Sequence, residues 1–280
     1  MTAAAEARLL PDGKRLHLHH GPIDLIVGVE GPHRNACFAR ATTCFQTILT
    51  GLVAELDTLR APVGQETRVK GPIARRMVHA VRPYEDVFCT PMAAVAGAVA
   101  DEVLAAMLVD RPPVTKAYVN NGGDVAFHLA GSERMTSLSP AGDITLSAHD
   151  TARGLATSGW QGRSHSMGIA DAVTVAGRTA AQADVAATLI ANAVSLGAHP
   201  SVQTCRADAL SPGSDLGPRH VTTQVGPLRE AEIDRALRAG AGFAQTLCAR
   251  GLICQASLLL QGKTLLVTPQ PLVHRKSIHA

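Results

Sequence analysis

Tyr118-Val119-Asn120-Asn121-Gly122-Gly123-Asp124-Val125 is the stretch on which the reading of this chain turns. A β-prone pair runs into two amides, a double glycine and a carboxylate. Glycine reaches positive φ without a Cβ clash and lets another backbone or a ligand come close. The segment therefore reads as a strand whose tip offers bare backbone, the Asn120 amide and the Asp124 acid. Such a tip suits close approach to a phosphate, a ribose or a flavin ring. Asn-Gly and Gly-Gly equally mark an ordinary hairpin turn, so its meaning depends on partners elsewhere in the chain.

Upstream, residues 16–30 read as a hairpin: Leu16-His17-Leu18-His19 alternates, Gly21-Pro22 turns, and a second apolar strand follows. His17, His19 and His20 could form a metal cluster, but no carboxylate or cysteine accompanies them nearby and a solvated strand face fits better. Residues 34–59 carry Phe38, Phe45, Ile48, Leu52, Leu56 and Leu59 at near-helical spacing, which predicts one long amphipathic helix stopped before Pro62. Thr90-Pro91 predicts the start of a second helix to about Val109, with Thr as N-cap and Pro in the first turn. Its opening Met92-Ala93-Ala94-Val95-Ala96-Gly97-Ala98 is small enough for tight packing on a sheet, or for a ligand phosphate at the helix N-terminus.

Downstream, strands are expected at 144–148, 155–157 and 172–176. Thr179-Ala180-Ala181-Gln182 is a capping box for a third helix to about Leu196. Residues 205–227, rich in Pro, Gly, Ser and Asp, read as a long surface loop. A fourth helix over 228–250 and a hairpin turning at Gln261-Gly262 complete the pattern. Strands and helices cluster instead of alternating, which predicts an α+β fold with mainly antiparallel sheets packed with helices. The expected organisation is a flexible N-terminus over 1–14, a single domain over 15–268 built as one body or two closely packed halves, and a flexible tail over 269–280.

Composition bounds the function. The chain has 280 residues, 46% hydrophobic and only 3% aromatic, so its core must be built from Ala, Val, Leu and Ile. A net charge of +3 without a dense basic run interleaved with aromatics argues against nucleic-acid binding. The apolar windows at 87–109 and 253–267 are broken by Asp101, Glu102, Gln261 and Lys263, which argues against a membrane span. The start of the chain lacks a long apolar stretch, and its six cysteines form no C-x-x-C pair. Reduced core thiols and a cytoplasmic location are expected.

Two further constellations could carry chemistry. Asp184 and Thr188 lie four apart on the third helix and share one face. A carboxylate and a hydroxyl make a partial oxygen shell for Mg²⁺; equally, they could serve only the helix terminus and its carbonyls. The second is Thr157-Ser158-Gly159-Trp160-Gln161-Gly162-Arg163-Ser164-His165, at a strand-to-loop junction. Its hydroxyls, backbone N–H groups and Arg163 can donate to phosphate, and His165 can act as a general base; a polar surface loop is the alternative. No G-x-S-x-G nucleophile elbow occurs.

The order N-x-G-G-D, T-S-G, His, a V-T-V strand and A-D-x-x-x-T, over roughly residues 15 to 268, resembles the ApbE superfamily, the FAD:protein FMN transferases. Within it the chain looks most like a side branch of ApbE-like proteins of uncharacterised role, through Pro91–Gly97, Thr157-Ser158-Gly159, Ser166–Ala172 and Ser214-Asp215-Leu216-Gly217. The resemblance implies an ApbE-like, T-fold-related architecture. It also implies a flavin-nucleotide site lined by Asn120, Gly122, Gly123 and Asp124, and by Thr157, Ser158, Gly159 and Arg163. By the same resemblance Mg²⁺ is held by Asp184, Thr188 and a backbone carbonyl near Val95, and His165 and Asp184 are catalytic.

In those transferases Mg²⁺ polarises the FAD pyrophosphate, an acceptor protein's Thr attacks, and AMP leaves. The ligands implied are a dinucleotide of FAD type and an acceptor protein. This sequence departs from the pattern at Ala96, where the transferases carry Lys, and after His165, where Ser166-Met167-Gly168-Ile169-Ala170-Asp171 replaces their Pro and Thr-Gly. Three roles follow: transfer or pyrophosphate cleavage on FAD, a non-catalytic flavin-nucleotide module, or an assembly partner with a vestigial site.

Overall fold

In a computed structural model the chain is described for residues 4–110 and 112–269. The elements are, in order, β1 (Glu6–Leu9), β2 (Arg15–His20), β3 (Ile23–Glu30), α1 (Arg34–Phe45), α2 (Ile48–Val53), α3 (Leu56–Leu59), α4 (Pro72–Val81), α5 (Val95–Met107), β4 (Lys116–Asn121), β5 (Asp124–Leu129), β6 (Arg134–Ser137), β7 (Ile144–Ser147), β8 (Gly154–Ser158), β9 (Ala172–Gly177), α6 (Ala180–Ala193), β10 (Val202–Arg206), α7 (Ala207–Leu210), β11 (His220–Val225), α8 (Glu230–Ala249), β12 (Gln255–Leu260) and β13 (Lys263–Val267). Every strand pair with a defined register is antiparallel. The fold is α+β, as the clustered pattern predicts. No helix among the described residues is long and apolar enough to cross a membrane.

The chain divides into two compact units. The first comprises Met1–Thr136, Thr145–Ala156 and Arg178–Val185; the second comprises Ser137–Ile144, Thr157–Gly177 and Ala186–Ala280. In the first, β1 through β5 form a meander that continues onto β8. Alternation fixes its register: Leu16 and Leu18 of β2, Leu25 and Val27 of β3, and Ala117 and Val119 of β4 face inward. Helix α5 covers β4 and β5, with α1 and α4 packed on α5. Phe45, Met77, Met107, Phe127 and Leu155 are fully buried there. The second unit carries the β9–β12–β13 ladder with α8 against it, and the separate β10–β11 pair. Its core holds Val173, Val175, Ile190, Leu237, Leu247 and Leu258.

Four expectations change. Residues 34–59 are not one helix but α1, α2 and α3. Threonine hydroxyls compete for the helical carbonyls: Thr42 donates to Phe38 O at 2.9 Å, Thr43 to Ala39 O at 3.1 Å and Thr50 to Thr47 O at 3.0 Å. Such back-bonding bends and interrupts helices. Residues 205–227 are not a loop throughout, because β10 and β11 pair from Val202↔Val225 to Arg206↔His220 across a bulge at Gln203/Thr204. Within the segment 1–14, Glu6–Leu9 forms an edge strand on β2. The second helix begins later than Pro91, since Pro91–Ala94 is a 3₁₀ turn leading into α5. Most of the expected tail, 270–280, lies outside the described residues.

Candidate functional site

The opening stretch forms the β4–β5 hairpin. Asn121 pairs with Asp124, and Gly122-Gly123 is the two-residue loop, with φ of 65° and 114°. Both signs are positive, which is why glycine occupies both places. Asn120 Oδ1 accepts the Gly123 N–H at 2.8 Å and pins the loop. Asn121 is buried and points its amide at the start of α5, donating to Ala96 O at 3.1 Å. The hairpin tip and the α5 N-terminus are thus tied together by a side chain that sequence reading treated only as turn chemistry.

Helix α6 completes this cluster. Asp184 Oδ2 accepts the Gly97 N–H at 3.0 Å. Asp101, on α5, accepts the Ala180 and Ala181 N–H groups at 3.0 and 2.9 Å, capping the α6 N-terminus from a neighbouring helix. Glycine permits the approach. A Cβ at Gly97 would lie 2.3 Å from Ala180 O, and one at Gly154 would lie 2.1 Å from Ala180 N. Helix α5 and strand β8 therefore close on the first turn of α6 through positions that bear no side chain.

The electrostatics are unusual for a helix junction. Burial, and then the Asp124 carboxylate, push the Asp184 carboxyl well above the ordinary carboxylate range; the Gly97 and Ala96 N–H groups pull the other way, and Asp101 adds to the rise. Asp101 is also raised, by burial, against the lowering from the Ala181 and Ala180 N–H groups. Acidic groups gathered where desolvation disfavours their charge are a common mark of a functional site. Among the described residues no group of three or more His, Cys, Asp or Glu converges on one metal position.

Of the residues expected at the site, Val95, Asn120, Gly122, Gly123, Asp124 and Asp184 belong to the first unit, and Asp124 and Asp184 interact. Thr157, Ser158, Gly159, Arg163, His165 and Thr188 belong to the second. There, Thr157 Oγ1 lies 2.9 Å from Thr174 Oγ1, and Ser139 Oγ also bonds Thr174. Gly159 is packed so closely that a Cβ would lie 2.3 Å from Asp171 O. Trp160 donates its indole N–H to Asp171 Oδ1 at 3.0 Å and its backbone N–H to Ala170 O at 3.0 Å. Arg163 and His165 are exposed.

Ser166-Met167-Gly168-Ile169 is clamped on the later part of α6. Asn192 Oδ1 accepts from Met167 N at 2.8 Å and Ser166 Oγ at 3.2 Å, and Ile169 N donates to Val194 O at 2.8 Å. The departure after His165 is thus accounted for by packing. The histidine strand is divided: a carboxylate does accompany it, since His17 bonds Asp24 across the β2–β3 hairpin at 3.1 Å, whereas His20 is buried with Nδ1 unpartnered. Asp101, Asn121, Asp171 and Asn192 are the polar residues that sequence reading missed. Their signal was weak: Asn121 and Asp171 stand in motif stretches but their partners Ala96 and Gln261 lie in others, and Asp101 and Asn192 are polar residues on largely apolar helices.

The family model described as AbpE bacteria matches residues 7–266, and the chain belongs to that family. Among curated proteins it is 38% identical over 135 residues to a UPF0280 protein of Methanothrix thermoacetophila, covering 44% of this chain and 52% of that one. It is 37% identical over 123 residues to a UPF0280 protein of Methanococcoides burtonii, covering 40% and 49%. It is 38% identical over 141 residues to the UPF0280 protein MK0206 of Methanopyrus kandleri, covering 48% and 54%. The chain spans about half the length of the curated relatives it matches. Among solved structures, a histidine-to-glycine mutant of the flavin transferase ApbE from Vibrio cholerae aligns with a TM-score of 0.46 and 10% identity, over 91% of this chain and 97% of that one.

Proposed function

We propose that this member of the AbpE family binds a flavin nucleotide of the FAD type together with Mg²⁺ and acts at its pyrophosphate, passing the FMN moiety to an acceptor protein or to water. The observation that carries the proposal is Asp184 at the α5 N-terminus, bound to the Gly97 N–H at 3.0 Å and raised first by burial and then by repulsion from Asp124. A hard divalent cation takes carboxylate and carbonyl oxygens and offsets that repulsion. The donor set fits Mg²⁺ in this chemical sense. Asp184, Thr188 one turn along α6 and a carbonyl near Val95 would hold the ion, with phosphate oxygens completing the shell. When bound, Mg²⁺ supplies charge neutralisation and polarisation of the pyrophosphate.

The chain's own groups have separate parts. Gly122 and Gly123 keep the hairpin tip free of side chains, so a nucleotide can lie against backbone. Asn120 holds that turn in shape through Gly123, and Asp124 offers an acceptor to ribose or ring N–H groups. Thr157, Ser158 and the Gly159 N–H donate to phosphate oxygens, and Arg163 adds a fixed charge. His165 takes the proton from the attacking hydroxyl as a general base.

A second reading is favoured by one observation. Ala96, where the transferases carry Lys, brings no cation to the phosphate, and its carbonyl is already taken by Asn121. On that ground the chain would bind the flavin nucleotide without transfer, as a carrier or sensor. Incubation of the purified chain with FAD and Mg²⁺, following free AMP, FMN and bound flavin, separates the two. AMP release that Asp184→Ala abolishes supports catalysis. Stable flavin binding without AMP supports the non-catalytic module, and no flavin uptake refutes both.

A further inference from the structure

Outside the hairpin-tip cluster, the first unit carries a cavity of about 240 Å³ lined by Arg68, Arg75, His79 and Arg82, together with Thr67, Val69 and Val78. No acid lines it. Arg75, His79 and Arg82 follow one another at spacings of four and three, so α4 and its C-cap present them on one face. Among the described residues none of the three guanidinium groups belongs to an ion pair. The neighbouring Arg76 is different, being bound to Glu102 at 2.7 Å. Two of the three are oriented by backbone: Arg68 donates to Gln65 O at 3.1 Å and Arg75 Nε to Lys70 O at 3.0 Å. Each keeps further N–H donors for a ligand.

Helix stability does not account for the cluster. His79 and Arg82 suit the C-terminal end of α4, but Arg75 sits near its N-terminal end, where a cation opposes the helix dipole. Arg68 lies outside the helix altogether. Unpaired like charges around one small space repel one another, and an anion removes that cost. The rigid guanidinium fork is suited to phosphate oxygens.

Arg82 also lines a second cavity, of about 380 Å³, whose wall carries Tyr84 and Phe88 together with the acids Glu85 and Asp86, so any phosphate belongs on the arginine side. The whole chain has only two Tyr, five Phe and one Trp, so two aromatics at one cavity mark it out. Its volume is within the range of small-molecule pockets.

We propose that the α4 arginine cavity binds the phosphate of an organic phosphate ester, with the ester's ring in the adjoining Tyr84–Phe88 cavity. The site is separate from the flavin-nucleotide reading, since none of its residues belongs to the hairpin tip, the start of α5 or α6. The arginines are exposed, so binding weakens steeply with added salt.

The test is residue-specific protection. The full chain, without Mg²⁺, is treated with phenylglyoxal in the presence of AMP, inorganic phosphate, adenosine, or NaCl at matched ionic strength, and modified arginines are located by peptide mass mapping. AMP should protect Arg68, Arg75 and Arg82 more strongly than phosphate does, and adenosine should not protect them. Arg75→Gln, an exposed substitution whose melting curve verifies folding, should weaken protection of Arg68 and Arg82 by AMP about tenfold. Asp184→Asn should leave it unchanged, so loss of the flavin-nucleotide site and loss of this one are distinguishable. Protection no greater than that given by NaCl, protection by RNA but not by AMP, or protection unaffected by Arg75→Gln would each overturn the proposal.

Discussion

Replacing Gly97 by Ala is the most informative single perturbation of the architecture behind the candidate site. In an isolated helix the change would stabilise by about 1 kcal/mol, the propensity difference between Gly and Ala. Here the new Cβ would lie 2.3 Å from Ala180 O, 2.4 Å from Ala180 C and 2.6 Å from Ala181 N. Those separations fall short of ordinary contact by about 1 Å. The clashing atoms are backbone, with no rotamer to change, so α5 and the first turn of α6 must move apart. Overpacking of this kind costs about 1–3 kcal/mol, and forced backbone movement places it at the upper end. A net loss of about 1–2 kcal/mol is expected once the propensity gain is subtracted. The same displacement carries the Gly97 N–H away from Asp184, which it meets at 3.0 Å. Gly242→Ala is the control, since that α8 glycine meets nothing within 4 Å; it should stabilise by about 0.5–1 kcal/mol. Urea titrations of the three proteins, compared by midpoint at constant slope, read both effects. A Gly97→Ala protein at least as stable as the parent would refute the close α5–α6 approach.

Other outcomes follow from the same contacts. Asn192→Ala leaves Met167 N and Ser166 Oγ without their acceptor and should cost about 1–3 kcal/mol in a denaturant titration. Leu258→Ala empties a fully buried position in the second unit and should cost about 2–5 kcal/mol by the same titration. The Arg229 side chain, its backbone N–H and His199 hold Glu232 down at about 2, from an ordinary value of 4.5. A depressed acid stabilises the fold fully above its unfolded value, and that stabilisation disappears as pH falls through its folded value. Thermal melts between pH 4.5 and 2 should therefore show the parent losing stability relative to Glu232→Gln, with the difference constant above that window.

Much of the fold was legible because its period-2 and capping signals are local. Leu16-His17-Leu18 alternates on β2, and Gln261-Gly262 turns the last hairpin with φ of 45° and 80°. Gly122-Gly123 is the two-residue hairpin loop that its Gly-Gly pair marks, and its neighbour Asn121 binds the helix that meets Asp184. What was illegible depended on competition or distance. Four threonines between residues 42 and 50 break a helix whose apolar spacing is unbroken. Turn-forming residues at 211–218 hid β10 and β11, although His220–Val225 is rich in β-branched side chains. Helix α4 was missed although Ile73, Ala74, Met77, Val78 and Val81 recur at helical spacing, because the helix is only ten residues long and sits in a segment flanked by prolines. Asp101 was read only as a charge interrupting an apolar window; its capping of α6 joins residues 79 and 80 positions apart.

The most direct test of the central claim is calorimetric titration of FAD into the purified chain with Mg²⁺ and with EDTA, on the parent, Asp184→Asn and Asp124→Asn. The account predicts FAD binding that tightens about tenfold or more with Mg²⁺ in the parent and loses that dependence in both variants. FAD binding of equal strength with EDTA, or a Mg²⁺ dependence untouched by Asp184→Asn, would contradict it.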